Sequence, residues 1–249
     1  MNLGEKLTES VSSKVVFNIN IFGHNIPISD TIVVMWFIML IIIIAAILLT
    51  KNLKTIPDKK QNIIESIVEF VNNTAKNSIG HHGLHFAPYI GTILLFLAVS
   101  NIISIFNIFP GGEFWYHLTG VDFLRNIPTI KPPTKNINLN AVMAIMSIIM
   151  VMYAGIRFKG FKGWLKTFIE PMPVILPFKI LDYFIRPVSL TLRLFGNILA
   201  AFMIMELIYI AVPAFVPAAF SIYFDLFDGL LQAYIFVFLT SIYIAEVVE

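Results

Sequence analysis

Residues 31–50 form an uninterrupted apolar segment of twenty residues that contains no charged side chain. An α-helix rises about 1.5 Å per residue, so a helix of this length spans the roughly 30 Å hydrocarbon core of a bilayer. The preceding residues, 1–30, lack the basic stretch and apolar core of a cleavable signal peptide. We therefore predict a retained transmembrane helix over 31–50.

The composition of the whole chain also indicates a membrane protein. Of its 249 residues, 58% are hydrophobic and only 13% are charged, and the mean hydropathy is +0.84. Soluble domains carry roughly 25% charged residues. The net charge of +2 is too small to indicate nucleic-acid binding. The absence of cysteine excludes disulfides, thiolate metal sites and thiol catalysis.

Apolar stretches and their breaks organise 1–249 as a single membrane domain. We predict an external segment over 1–30, an external loop over 110–138, and further embedded segments over 86–109, 139–156, 171–211 and 218–247. Residues 61–79 place apolar side chains at helical spacing opposite Glu65 and Glu69, which indicates an amphipathic helix at the cytoplasmic-side interface. The predicted fold class is an all-α integral membrane protein with about five membrane-embedded helices and one amphipathic interfacial helix.

The distribution of Lys and Arg predicts the orientation in the membrane. The stretches 51–76 and 157–186 contain eleven of these residues, whereas the N-terminal segment and the 110–138 loop contain five. Basic residues concentrate on the cytoplasmic side. We therefore expect the N-terminus outside and the C-terminus, after five crossings, in the cytoplasm.

Arg193 is an ionisable residue in the middle of an apolar helical stretch. A charge there costs about 2.5–3.5 kcal/mol on insertion scales, so it needs a partner or a wet cavity. The polar residues around it are three, four and four positions apart and share one helix face; they are Arg186, Ser189, Arg193 and Asn197. Arg193 is thus a candidate functional residue.

The last helix carries a second polar face. Asp225, Asp228 and Gln232 are three and four residues apart. Glu206 lies on a different face of its helix from Arg193. A purely structural explanation stays open, in which Arg193 forms an ion pair with Asp225 or Asp228 that joins two helices.

Two segments resemble the signatures of one family, subunit a of bacterial F-type ATP synthases. The first is Ser189-Leu-Thr-Leu-Arg193-Leu-Phe-Gly-Asn197, and the second is Leu231-Gln232-Ala-Tyr-Ile-Phe. Arg186-Pro187 before the first and Leu239-Thr-Ser-Ile-Tyr243 after the second agree with the same pattern. The length and the order of segments agree along the whole chain.

The resemblance implies a stationary, ion-conducting subunit of a rotary motor. Its last two helices would lie long, tilted and antiparallel against a rotating ring of c subunits, each with a carboxylate. Two offset half-channels would carry protons or sodium ions to and from the ring. Arg193 would stand between them, because a guanidinium stays charged and cannot relay a proton. Ion flow would then require rotation, which drives ATP synthesis in a separate head, so this chain itself would be non-catalytic.

The resemblance also implies roles for the other polar residues. Asn197, Gln232 and Ser189 belong to the ion-translocating face. Asp225 occupies a position where many relatives carry Glu or His, whereas Phe202 occupies one where some carry a carboxylate. Further expected members of the ion path are Glu206 one turn after Phe202, Asp228 beside Asp225, and Asp182 in the cytoplasmic half-channel.

The implied partners are the c ring, the peripheral-stalk b subunits, the remaining ATP synthase subunits and the lipid of a bacterial inner membrane. We expect no cofactor, metal or nucleic acid. Three histidines before the second span lack an accompanying carboxylate pattern, so a solvated interfacial cluster is favoured over a metal site; they are His81, His82 and His85.

Two other functions compete with this interpretation. A secondary transporter of a small solute would need a midplane site built from two repeated halves, whereas the breaks and charges concentrate in the last third of this chain. A non-conducting membrane scaffold would leave the cost of an intramembrane arginine and three acids unexplained. Both are therefore less favoured than the ATP synthase subunit.

Overall fold

Helices form most of the chain, as the sequence predicts. The structure, a computed structural model, describes residues 15–21, 24–51, 53–103, 132–169, 173–211, 220 and 222–248. Within these residues, strands β1 (Val15–Ile21) and β2 (His24–Ser29) precede six α-helices: α1 (Asp30–Thr50), α2 (Lys59–Ile79), α3 (Gly83–Ile102), α4 (Ile137–Ile169), α5 (Leu176–Ala211) and α6 (Gly229–Val248). Short 3₁₀ turns occupy Gly80–His82, Pro133–Lys135 and Pro173–Ile175, and a π-helix occupies Ile222–Asp228.

Five helical stretches of the described residues are long and apolar enough to cross a membrane. They are Asp30–Thr50, Lys59–Ile102, Ile137–Phe168, Leu176–Met205 and Leu226–Val248. This finding confirms the predicted class of an all-α integral membrane protein. In α1, Ile38 is the buried residue and most other apolar side chains are exposed, as expected for a helix surrounded by lipid.

A β-hairpin before α1 was not predicted from the sequence. β1 and β2 pair antiparallel, with Ile19 opposite Ile26 and Ile21 opposite His24. Phe17, Ile19 and Ile21 alternate with two asparagines, which is the period-two pattern of a strand. The sequence predicted only an external segment over 1–30, because its mixed composition concealed this pattern.

The helix bounds differ from the predicted segments in ways that follow from local sequence. α3 begins at Gly83, directly after the turn that ends α2, and the last residues of the predicted span 86–109 lie outside the described residues. Most of the loop 110–138 and the turn between the last two helices also lie outside them. α2 covers the segment predicted to be amphipathic, with Val71 and Ala75 buried.

α4 extends beyond the predicted span 139–156 but is interrupted at Gly160. This residue has φ 72° and ψ 160°, a conformation that side-chain-bearing residues rarely adopt. The basic segment after the third span therefore forms a second helical piece, up to Ile169, instead of a loop.

The described residues pack into two compact units. In the unit formed by the described residues among 15–41, 96–136 and 195–232, the buried side chain of Asn101 joins α3 to the start of α6. In the unit formed by the described residues among 42–95, 137–194 and 233–249, α4 packs on α6 through a 2.8 Å hydrogen bond between the buried hydroxyls of Ser147 and Thr240. Gly155 of α4 also lies against Val247 of α6, where a Cβ would be only 2.4 Å from Cγ1 of Val247, so a small residue allows this close approach.

Replacing Gly160 tests the interruption of α4. Gly160→Ala forces a Cβ into a backbone conformation that costs about 1–3 kcal/mol, so the thermal midpoint of the detergent-solubilised chain should fall. Gly163→Ala is the matched control, because its Cβ would make an ordinary 3.4 Å contact with Cβ of Lys159 and alanine favours helix. Equal midpoints for the two variants would contradict the conformation of Gly160.

Candidate ion-translocation site

The polar face predicted on α5 lies on one continuous helix, but its environment changes along its length. Arg186 is buried, Ser189 and Asn197 are half-buried, and Arg193 is exposed. Two arginines seven residues apart thus occupy very different surroundings.

Arg186 is neutralised within the chain. One guanidinium nitrogen, Nη2, donates hydrogen bonds to Oδ2 of Asp182 and to Oε2 of Glu246, the latter at 2.7 Å. The ring of Tyr243 lies 4.6 Å from Cζ of Arg186, within the range of a cation–π contact. Asp182, an expected member of the ion path, is therefore bonded to a buried arginine one turn away.

Arg193 has no such compensation within the part of the chain that the structure describes. No hydrogen bond or ion pair joins it to another described residue, and its side chain is exposed at the surface of the chain. An exposed guanidinium at the centre of a membrane helix is available to a carboxylate supplied by another molecule.

Asn197 connects α5 to the residues just before α6. Its Nδ2 donates a 2.6 Å hydrogen bond to Oδ2 of Asp228, and both residues are half-buried. Asp228 ends the π-helix Ile222–Asp228, a form often found at functional sites. Asp225 and Asp228 would share one face at the α-helical period that their spacing suggested, but the π-helix does not have this period.

The carbonyl at this junction is bonded from a third helix. Asn101 donates a 2.8 Å hydrogen bond from Nδ2 to the carbonyl oxygen of Gly229, and it accepts one of 2.8 Å from the hydroxyl of Thr134. Asn101 and Thr134 are both buried. A Cβ on Gly229 would lie 2.9 Å from Cβ of Asn101, so only glycine fits at this point.

The remaining predicted site residues differ in what the structure describes. Gln232 is buried, and its amide nitrogen has no hydrogen-bond partner among the described residues. The backbones of Glu206 and Asp225 lie in α5 and in the π-helix, but their side chains are outside the described part of the chain. The same holds for the side chain of Phe202.

Comparison with known proteins places the chain in a family. Residues 32–245 match the family described as ATP synthase A chain. A relative named "ATP synthase subunit a, sodium ion specific", from Propionigenium modestum, is 35% identical over 221 residues, which cover 89% of this chain and 74% of the relative. An "ATP synthase subunit a" from Moorella thermoacetica is 31% identical over 224 residues, which cover 90% of this chain and 93% of the relative.

The chain belongs to the ATP synthase A chain family. As a member, it is an ion-translocating stator subunit of an F-type ATP synthase and a multi-pass membrane protein that works in a complex with other ATP synthase subunits. The resemblance carried by the two signatures is thereby confirmed, and the family decides against the solute transporter and the scaffold.

The sequence alone did not identify three of the residues that make these polar contacts. They are Asn101, Thr134 and Glu246. A detectable signal existed for two of them: Asn101 is an amide near the end of an otherwise apolar span, and Glu246 is the single acid within α6. Thr134 follows two prolines in a loop and carries no such signal.

Two of the three histidines, His82 just before α3 and His85 in its first turn, pack against an aromatic residue of α4. The ring of His82 lies 4.3 Å from that of Phe158, and the ring of His85 lies 6.1 Å from it. Among the described residues, no three His, Cys, Asp or Glu side chains are grouped as metal ligands.

Substituting Gly229 tests the junction before α6. Gly229→Ala should lower the stability of the solubilised chain by about 1–3 kcal/mol, the usual cost of overpacking, because its Cβ meets Asn101. Gly196→Ala is the control, since its Cβ would have no heavy atom within 4 Å in this chain. Thermal unfolding of both variants measures the difference, and an unchanged midpoint for Gly229→Ala would show that this contact is not tight.

Proposed function

We propose that Arg193 is the electrostatic divider between two offset half-channels and that it acts on the carboxylates of a rotating ring of c subunits. One observation carries this proposal: of the two arginines on the polar face of α5, Arg186 is held by two carboxylates, whereas Arg193 is exposed and bonded to no described residue. An arginine kept to join helices of its own chain would resemble Arg186. Arg193 instead presents its charge outward.

The physical chemistry of guanidinium suits this role. It stays protonated at any physiological pH, so it cannot pass an ion from one half-channel to the other. Its planar donors bind a carboxylate strongly, which favours an ionised ring site in front of it. A ring site leaves Arg193 when it gains an ion from one half-channel, and it returns after releasing the ion to the other. Ion flow therefore requires rotation.

The other polar residues divide between the half-channels in this proposal. Glu206 and Asp225 line the outer one, and Asp182 lies on the cytoplasmic one. Asn197 and Asp228, which bond each other at 2.6 Å, lie on the path with Ser189 and Gln232. The amide nitrogen of Gln232 is buried and has no partner in the described part of the chain, which supports a polar, hydrated environment at that position.

The assembly and orientation follow from the same proposal. The c ring faces Arg193, and the b subunits of the peripheral stalk hold the chain still against rotation. The chain lies in the bacterial inner membrane with its N-terminus outside and its C-terminus in the cytoplasm, which the uneven distribution of Lys and Arg supports.

The coupling ion is a proton or sodium. The name of the Propionigenium modestum relative makes sodium a candidate for this chain beside the proton. Two measurements on the purified complex decide between them: the sodium dependence of ATP hydrolysis, and protection by sodium against a reagent that modifies carboxylates.

Arg193→Ala should reduce coupled ATP synthesis to background while the complex still assembles. The reason is that no fixed charge then holds the ring carboxylate or separates the half-channels. Arg193→Lys should also fail badly, because an ammonium lacks the planar donor fork and loses its proton more readily when desolvated. ATP synthesis and ATP-driven ion pumping in reconstituted vesicles measure both variants.

Leu192→Ala is the matched control for these variants. Leu192 is the neighbouring residue and 57% exposed, so its truncation removes contact area without removing charge. It should retain coupled synthesis. Normal ion pumping by Arg193→Ala would contradict the divider role.

The acids should separate by the side of the membrane on which they act. Asp225→Asn and Glu206→Gln should slow ion entry from outside without making the membrane leaky, since each removes a guiding charge. The chain has no cysteine, so single cysteines at these two positions report on access without further changes. Resistance of both to a water-soluble thiol reagent added from outside would remove them from the outer half-channel.

A further inference from the structure

Four charged residues line one cavity between the start of α5 and the end of α6. The cavity has a volume of about 70 Å³, and its charged lining consists of Lys179, Asp182, Arg186 and Glu246. Three of these residues lie on the first turns of α5, and Glu246 alone comes from α6. The signatures of the sequence assign no role to Glu246.

Glu246 compensates a buried cation. The side chain of Arg186 is 9% exposed, whereas the side chains of Asp182 and Glu246 are 47% and 60% exposed. The guanidinium thus lies inside, and the two carboxylates stand between it and the surroundings. Removing one partner of a buried pair leaves charge uncompensated, which is costly. The contact between Arg186 and Glu246 also joins residues 60 positions apart on two helices.

The guanidinium has further donors for which the described residues provide no acceptor. Nε and Nη1 of Arg186 are buried and lack a hydrogen-bond partner among the described residues, because both acids are bound through Nη2. Buried donors are nearly always bonded to protein or to water. A cavity needs roughly 10–15 Å³ to hold a water, so 70 Å³ beside these donors is ample for several waters.

The charges of this cavity are balanced. Lys179 and Arg186 contribute two positive charges, and Asp182 and Glu246 contribute two negative charges. Lys179 also donates a hydrogen bond to the backbone carbonyl of Thr167. Loss of either acid would leave a positive cavity, and a positive cavity repels protons and sodium ions alike.

The cavity lies close to the proposed divider along the helix. Arg186 precedes Arg193 by two helical turns on the same face, a rise of about 10 Å. The net positive charge that loss of Glu246 would leave in the cavity would act on cations that approach the ring from this end of α5. The balance of charge in the cavity leaves Arg193 as the effective positive charge of the polar face.

We propose that Glu246 is a positioning residue for ion transfer: it clamps Arg186 between α5 and α6 and keeps the adjoining hydrated cavity neutral, so that cations pass on the cytoplasmic side. Glu246 acts through Arg186 and does not itself carry the ion. This inference rests on the proposed function, in which ions reach the ring from two separate sides.

The test uses Glu246→Gln in the whole ATP synthase, reconstituted in vesicles. ATP-driven pumping takes ions up from the cytoplasmic side, whereas ATP synthesis takes them up from outside. The variant should raise the cytoplasmic ion concentration that gives half-maximal pumping several-fold, measured by varying pH or sodium on that side. The outside concentration that gives half-maximal synthesis should stay unchanged. Unchanged half-maximal concentrations on both sides, with only less assembled complex, would mean a structural role and overturn the proposal.

Matched variants separate the charge from the shape of Glu246. Glu246→Asp keeps the charge, so its cytoplasmic half-maximal concentration should be close to that of the unchanged protein. Glu69→Gln removes an exposed acid on α2 and should change neither side. Arg186→Glu combined with Glu246→Arg keeps one arginine between two acids. Its cytoplasmic half-maximal concentration should therefore be lower than that of Glu246→Arg alone. Failure to recover in an assembled complex would show that the pairing is not the cause.

Arg193→Ala in the same vesicles distinguishes failure of the divider role of Arg193 from failure of the positioning role of Glu246. If Arg193→Ala still couples ion flow to synthesis, the proposed function itself is wrong. If Arg193→Ala is uncoupled but Glu246→Gln leaves both half-maximal concentrations unchanged, only the proposed positioning role of Glu246 is wrong.

Discussion

The free-energy cost of a guanidinium in hydrocarbon governs the organisation of α5. Two arginines on one face of a membrane helix each need compensation, and the described residues provide it for one of them. Arg186 is bonded by Asp182 and Glu246 and covered by Tyr243. Arg193 is exposed and has no partner among the described residues. The first arginine is therefore compensated inside the chain, whereas the described residues supply no counter-charge to the second.

Each of the two compact units contains a polar contact between α5 and the last part of the chain. Asn197 bonds Asp228 in one unit, and Arg186 bonds Glu246 in the other. In a membrane, helix association relies on close packing and hydrogen bonds because lipid provides no hydrophobic drive between helices. The same groups that hold the helices together thus lie beside the residues proposed to handle ions.

The sequence predicted the helices and the polar face of α5 because hydrophobic length and helical spacing are local properties. It did not predict which residues cover that face. The burial of Arg186 depends on Glu246, 60 positions later, and the carbonyl of Gly229 is bonded by Asn101, 128 positions earlier. Helical periodicity predicts which face of a helix a side chain occupies, but it does not identify the residue of another helix that packs against that face. The π-helix before α6 likewise escaped detection, because its wider turn has no compositional mark.

The lipid-exposed first helix has a consequence for how this protein can vary. Ile38 is the buried residue of α1, and its other apolar side chains meet few protein groups. Partition into lipid depends on the sum of apolar area and hardly on the shape of individual side chains. Related chains can therefore exchange one branched apolar residue for another along α1 almost freely. In the final helices, by contrast, each polar substitution changes a specific partner, so sequence drift should be slow there and fast in α1.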